Sequence, residues 1–196
     1  MLQAPDRIVT VVLAAAFLLL HTAISARAQD YPAKFDLGAP ASADDIKAVD
    51  IAIGPDGEGL PPGKGDAEAG SKIFVNACSA CHGANLQGVA RLPDMPSGAA
   101  LRLTGGRGTL ASKNPVMTVE SYWPYATTLF DYVRRAMPFS APGSLSNDEV
   151  YAVVAYILSE GHVIDKTTIL DAQTLPRVQM PNRDGFVPDP RPEKFK

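Results

Sequence analysis

Cys78-Ser79-Ala80-Cys81-His82 is where this 196-residue chain crowds its reactive side chains most closely. Two thiols two residues apart, with an imidazole directly after, form the attachment pattern of a c-type haem. Thiols on one turn of chain reach two vinyl groups on the same side of a porphyrin, and the adjacent histidine is aimed at the iron. Two other chemistries use paired cysteines. A thioredoxin-like redox pair opens a helix after a strand, whereas a helical pattern precedes this one. A zinc site needs about four ligands, and with only two cysteines in the chain His21 and His162 cannot complete one. The residues point to one covalent haem c on Cys78 and Cys81, with His82 as an iron ligand.

The opposite face of the iron needs its own donor, and methionine is the usual partner of histidine in cytochromes c. Of the five methionines, Met95, Met137 and Met180 each precede a proline, which stiffens the loop presenting the sulfur. In small c-type domains the ligand loop lies just before the last helix, and Met137 alone occupies that place, nine residues before Ser146. Met95, Met180 and His162 stay open as alternatives. Arg107 suits a haem propionate by carboxylate geometry. Trp123, Tyr122 and Tyr125 could donate to the propionates or pack on the haem edge.

Three helices must hold these groups. Asp66-Ala67-Glu68 is a capped acidic start, and Ala69, Ile73, Phe74 and Ala77 follow at helical spacing. Ala126 to Ala136 carries Leu129, Tyr132 and Val133 on one face and is stopped by Pro138. Ser146-Asn147-Asp148-Glu149 is a capping box opening a third helix to about Ser159, with Val150, Val153, Val154 and Ile157 as its stripe. Gly70, Phe74 and Tyr156 suit a close crossing of the first and last helices. Gly83 to Ser121 reads as loop, a length that wraps something in a compact domain, and a buried haem would be that something. No sheet is expected.

Residues 1–28 read as an export signal. Arg7 precedes an apolar run of 13 residues, Ile8 to Leu20, and Ala26-Arg27-Ala28 is the exit. A membrane span needs roughly 20 apolar residues, so cleavage after Ala28 and a periplasmic protein without a permanent membrane anchor are expected. Residues 29–65, rich in turn formers, form an extended arm that could carry a short helix from Ser42 to Val49. Residues 66–160 are the haem domain. Residues 161–196, with five prolines and no strong period, are an extended tail. The formal charge of −3 comes without a basic stripe, which excludes nucleic acid as a partner.

Cys78 to His82 with Gly70, Phe74, Met137 and Tyr156 resembles the class I cytochrome c fold, which implies an all-α domain around one covalent haem. The run from Ser121-Tyr122-Trp123-Pro124-Tyr125 to Arg134-Arg135-Ala136-Met137-Pro138 is more distinctive. With Gly105-Gly106-Arg107-Gly108-Thr109-Leu110 and Met180-Pro181-Asn182-Arg183-Asp184-Gly185-Phe186, it resembles the SoxD-type cytochrome subunits. These accompany a molybdenum subunit in sulfane dehydrogenase, and relatives serve sulfite dehydrogenases. The resemblance implies a chain that is not catalytic alone, taking electrons from a molybdenum dehydrogenase subunit and passing them to another cytochrome c. Two departures stand out. Some SoxD proteins carry a second haem, and this chain has one attachment motif. Where the family often has proline ahead of its Gly-Gly-x-Gly stretch, this chain reads Ala99-Ala100-Leu101-Arg102-Leu103, leaving Pro93 or Pro96 to orient His82. A freely diffusing shuttle is the main alternative. An open-iron haem enzyme or sensor would require Met137 not to bind. On the complex reading, losing residues 163–196 weakens partner binding more than domain stability.

Overall fold

A computed structural model describes residues 35, 37–89 and 102–188. The expected export signal, Met95, Pro93 and Pro96 lie outside them. Two compact units divide the chain, Met1–Ala43 and Asp44–Lys196. The described residues of the first, Phe35 and 37–43, are exposed. Helix α1 (Ala43–Val49) also buries no residue.

Helix α2 (Ala67–Ala77) starts where the Asp66 carboxylate accepts the Ala69 N–H at 2.9 Å, satisfying one of the first-turn donors. It buries Ala67, Gly70 and Phe74, then runs on as the single turn α3 (Ser79–His82). Helix α4 (Ala126–Ala136) buries Leu129, Phe130 and Val133. Helix α5 (Asn147–Glu160) opens on the reciprocal capping box: Ser146 Oγ accepts from Glu149 N, and Glu149 Oε2 accepts from Ser146 N at 2.8 Å. The Ser146 hydroxyl also donates to Glu149 Oε2 at 2.8 Å, and these two bonds from the Ser146 backbone and hydroxyl hold the Glu149 carboxyl below its ordinary pKa. Fully buried Val150, Val153 and Val154 make α5 the centre of the core.

Helices α2 and α5 cross with almost no side chain between their backbones. A Cβ on Gly70 would lie 1.9 Å from the Ala152 carbonyl oxygen and 2.9 Å from Tyr156 Cβ. Around this contact the Phe74 and Tyr156 rings pack with centroids 5.2 Å apart. The obstacle is backbone, so no rotamer change relieves it. Gly70→Ala is therefore expected to cost more than the ~1–3 kcal/mol of ordinary overpacking, read as a lower urea midpoint. A midpoint equal to that of the parent protein would mean the crossing is looser than the structure has it.

The arm and tail differ from the sequence expectation. Strand β1 (Lys64–Gly65) pairs antiparallel with β2 (Leu170–Asp171), Lys64 opposite Asp171 and Gly65 opposite Leu170. Ahead of β1, the arm is tied to α5: Tyr151 donates its hydroxyl to the Pro61 carbonyl at 2.9 Å, and Lys64 N donates to Asp148 Oδ1 at 2.8 Å. Burial, with the Asp171 carboxylate nearby, pushes the Tyr151 phenol up to about 12. From the tail, Leu170, Leu175, Val178 and Met180 enter the same core as α2, α4 and α5. Among the described residues, no helix is long and apolar enough to cross a membrane.

Candidate haem site

Helices α2, α3, α4 and α5 and the loop between α3 and α4 surround one cleft of about 830 Å³, part of it open to solvent. Its walls are almost wholly apolar. Phe74 and Ala77 come from α2, Leu129 and Val133 from α4, Val153 and Ile157 from α5, and Leu103 and Val119 from the loop. Cys78, Cys81 and His82 stand on one side, Met137 just past the end of α4, and Trp123 ahead of its start.

Each element places its ligand group by local bonding. The Cys78 N–H closes α2 on Phe74 O at 2.9 Å, and the Cys81 and His82 N–H groups both bond Cys78 O, at 3.1 and 3.0 Å. Both thiols and the imidazole therefore sit on one turn. Gly83 ends that turn at φ +77°, where a Cβ would meet the Gly88 carbonyl oxygen at 2.6 Å. No disulfide joins Cys78 to Cys81, and burial followed by the neighbouring Cys81 pushes Cys78 up to about 11. No group of three or more His, Cys, Asp or Glu that could hold a metal ion occurs among the described residues. Met137 N bonds Val133 O at 3.1 Å, which fixes the residue at the cleft wall as α4 ends.

The apolar, half-open cleft with two thiols, an imidazole and a thioether on its walls fits a tethered haem. Of the residues the sequence singled out, it brings together Cys78, Cys81, His82, Met137 and Trp123, while Tyr122 and Tyr125 do not line it. Arg107 also stands apart. Its Nε pairs with Glu120 Oε1 at 2.6 Å and its Nη2 donates to the Gly161 carbonyl at 2.6 Å, and it does not line the cleft. The guanidinium holds its loop against the end of α5, apart from the cleft walls. His162 is exposed beyond α5 at φ +52°, and Met180 is buried in the core; neither lines the cleft.

Sequence reasoning missed the residues that shape the loop wall. Glu120 Oε2 accepts from Gly105 N at 2.6 Å, Thr118 Oγ1 donates to Gly105 O at 2.7 Å, and Ser121 Oγ donates to Val116 O at 2.7 Å. Thr118, Glu120 and Ser121 are buried, and with Arg107 they hold Val119 in the wall. The signal was Thr118-Val119-Glu120-Ser121 itself, a cluster of side chains that bond nearby backbone.

A family model described as Cytochrome c matches residues 67–160. Among solved structures, a chain of the sulfane dehydrogenase SoxCD from Paracoccus pantotrophus is similar at 39% identity and a TM-score of 0.70. The match covers 81% of this chain and 74% of that one. This chain is a class I c-type cytochrome. Comparison with curated proteins gave no match. The cytochrome carries covalent haem c, for which Cys78 and Cys81 provide the thiols, and it resembles the SoxD type. Electron transfer is its general function.

Proposed function

We propose that this cytochrome is the haem subunit of a periplasmic sulfur-compound dehydrogenase. It receives electrons from a molybdenum subunit and passes them to another cytochrome c. The observation that carries this reading is the similarity to a SoxCD chain, which extends well beyond the haem domain. Residues 1–28 act as the export signal, and residues 66–160 as the haem domain, flanked by the arm at 29–65 and the tail at 161–196.

Haem c, when bound, takes up and releases one electron. Cys78 and Cys81 would tether it through two thioether bonds, and His82 and Met137 would be its iron ligands. Ligation by a methionine together with a histidine would raise the potential and would favour electron transfer over binding of a substrate at the iron. The apolar walls would limit the water around the haem faces they cover, so less solvent would have to reorganise there when the charge changes.

A second reading is favoured by the packing of arm and tail. Residues 53–65 and 163–180 engage the haem domain itself, so a freely diffusing shuttle would also need them. The two readings separate on the molybdenum-to-iron ratio of material gently purified from the native periplasm through this chain. Near-stoichiometric molybdenum is expected. Iron without molybdenum would overturn the complex and leave the shuttle.

A further inference from the structure

Two of the three stretches that mark the SoxD resemblance are far apart in sequence, and the fold closes one on the other. Asn182 donates its side-chain amide to the Tyr122 carbonyl at 2.7 Å. The Arg183 guanidinium carbon lies 4.8 Å from the centre of the Tyr125 ring. The Phe186 ring meets Tyr122 edge-on, with centroids 5.2 Å apart. Met180, buried at 3% exposure, roots this segment in the core.

Between the two gripped tyrosines lies Trp123. It faces the haem cleft and meets Tyr132, also on the cleft wall, edge-on at 5.8 Å. Residues 122–125 have no helix or strand of their own to fix them before α4 begins. The tail thus adds contacts on both flanks of the tryptophan, beside the bond from Tyr122 N to the Thr118 carbonyl at 3.0 Å. Gly185 makes the grip possible, because a Cβ there would lie 1.9 Å from Asn182 Oδ1 and 2.8 Å from Asn182 Cγ. Any other residue would push the amide off the Tyr122 carbonyl.

We propose that residues 180–186 form a strap that positions Trp123 against the haem, with Asn182 as the positioning residue, and that the strap thereby tunes the haem potential. The physical link is solvent. Hydrophobic walls control water access and local dielectric around a metal site, and with them its potential. A tryptophan free to swing lets water reach the haem edge, and water stabilises the more highly charged ferric state. The potential then falls. This inference rests on the haem site alone and stands whether the electron donor is a sulfur dehydrogenase or not.

Trp123 is the single tryptophan of the chain, so the sharp tryptophan fine structure on the long-wavelength side of the tyrosine signal in near-ultraviolet circular dichroism reports this position. The experiment compares full-length haem-loaded Asn182→Ala with Thr174→Val. Thr174 Oγ1 donates to the Ile169 carbonyl and accepts from Asp171 N, at the tail's other anchorage. Both variants are expected to melt at lower temperature. Asn182→Ala alone is expected to weaken the tryptophan band and lower the reduction potential, with the thioether-bound haem content unchanged. A parent-like band and potential in Asn182→Ala would overturn the strap, as would equal changes in Thr174→Val. If Asn182→Ala fails to fold, Phe186→Leu keeps the bulk but loses the ring contact on Tyr122. It should then show the same two changes to a smaller degree, and their absence would sink the idea equally.

Discussion

Met137→Ala is expected to lower the haem potential by a substantial fraction of the roughly 0.8 V over which axial ligands move it, while both thioether bonds stay intact. Met137 stands on the cleft wall as α4 ends, half-buried against the core. Its thioether is a soft donor that favours ferrous iron, and alanine leaves that position to water. The reduced variant should also bind carbon monoxide, which the parent protein should resist. Met180→Ala is the matching control. Met180 is buried but not on the cleft, so its loss should cost about 2–5 kcal/mol of stability with the potential unchanged. A parent-like potential in Met137→Ala, with no carbon monoxide binding, would remove Met137 from the iron. Met95 would then be the residue to test.

The parts of this site that were legible in the sequence are those set by local chemistry. Cys78, Cys81 and His82 are neighbours on one turn, so their spacing alone carries their geometry. Helices α2, α4 and α5 announce themselves by apolar repeats and by caps at Asp66 and Ser146, because helix formation is decided over a few residues. The Gly70–Ala152 approach could be anticipated as well, since a glycine on a buried helical face has few other uses. Charge type alone did not show what engages Arg107 in the fold. Nothing within a few positions of it shows that Glu120, thirteen residues later, and the carbonyl of Gly161 take its guanidinium. Sequence alone also could not choose among Tyr122, Trp123 and Tyr125. An irregular segment has no period to say which ring faces inward, and the contacts that fix it come from Asn182, Arg183 and Phe186.

The tail shows the same limit most clearly. Leu170, Leu175, Val178 and Met180 are spaced five, three and two residues apart, a pattern that fits neither helix nor strand. The two-residue ladder that carries Leu170 inward is too short to leave an alternating signature. Such a segment reads as a partner-binding tail, yet Leu170 and Leu175 are fully buried.

Removing residues 163–196 is therefore expected to unfold the haem domain rather than merely detach a partner. Replacing one buried leucine with alanine costs about 2–5 kcal/mol, and domains of this kind are stable by only about 5–15 kcal/mol. The deletion removes four buried apolar side chains at once and leaves Gly65 without its strand partner. Leu175→Ala alone should lower the urea midpoint clearly, and the truncated chain should show no cooperative transition. The arm gives the contrast, because α1 buries nothing. Deleting residues 35–49 should leave the urea midpoint where it was, and any loss of molybdenum on purification would then be an effect on the partner contact alone. A truncated tail variant with the parent's midpoint and haem spectrum would mean that α2, α4 and α5 close the core unaided. The sequence-based view of the tail as a partner-binding appendage would then be restored.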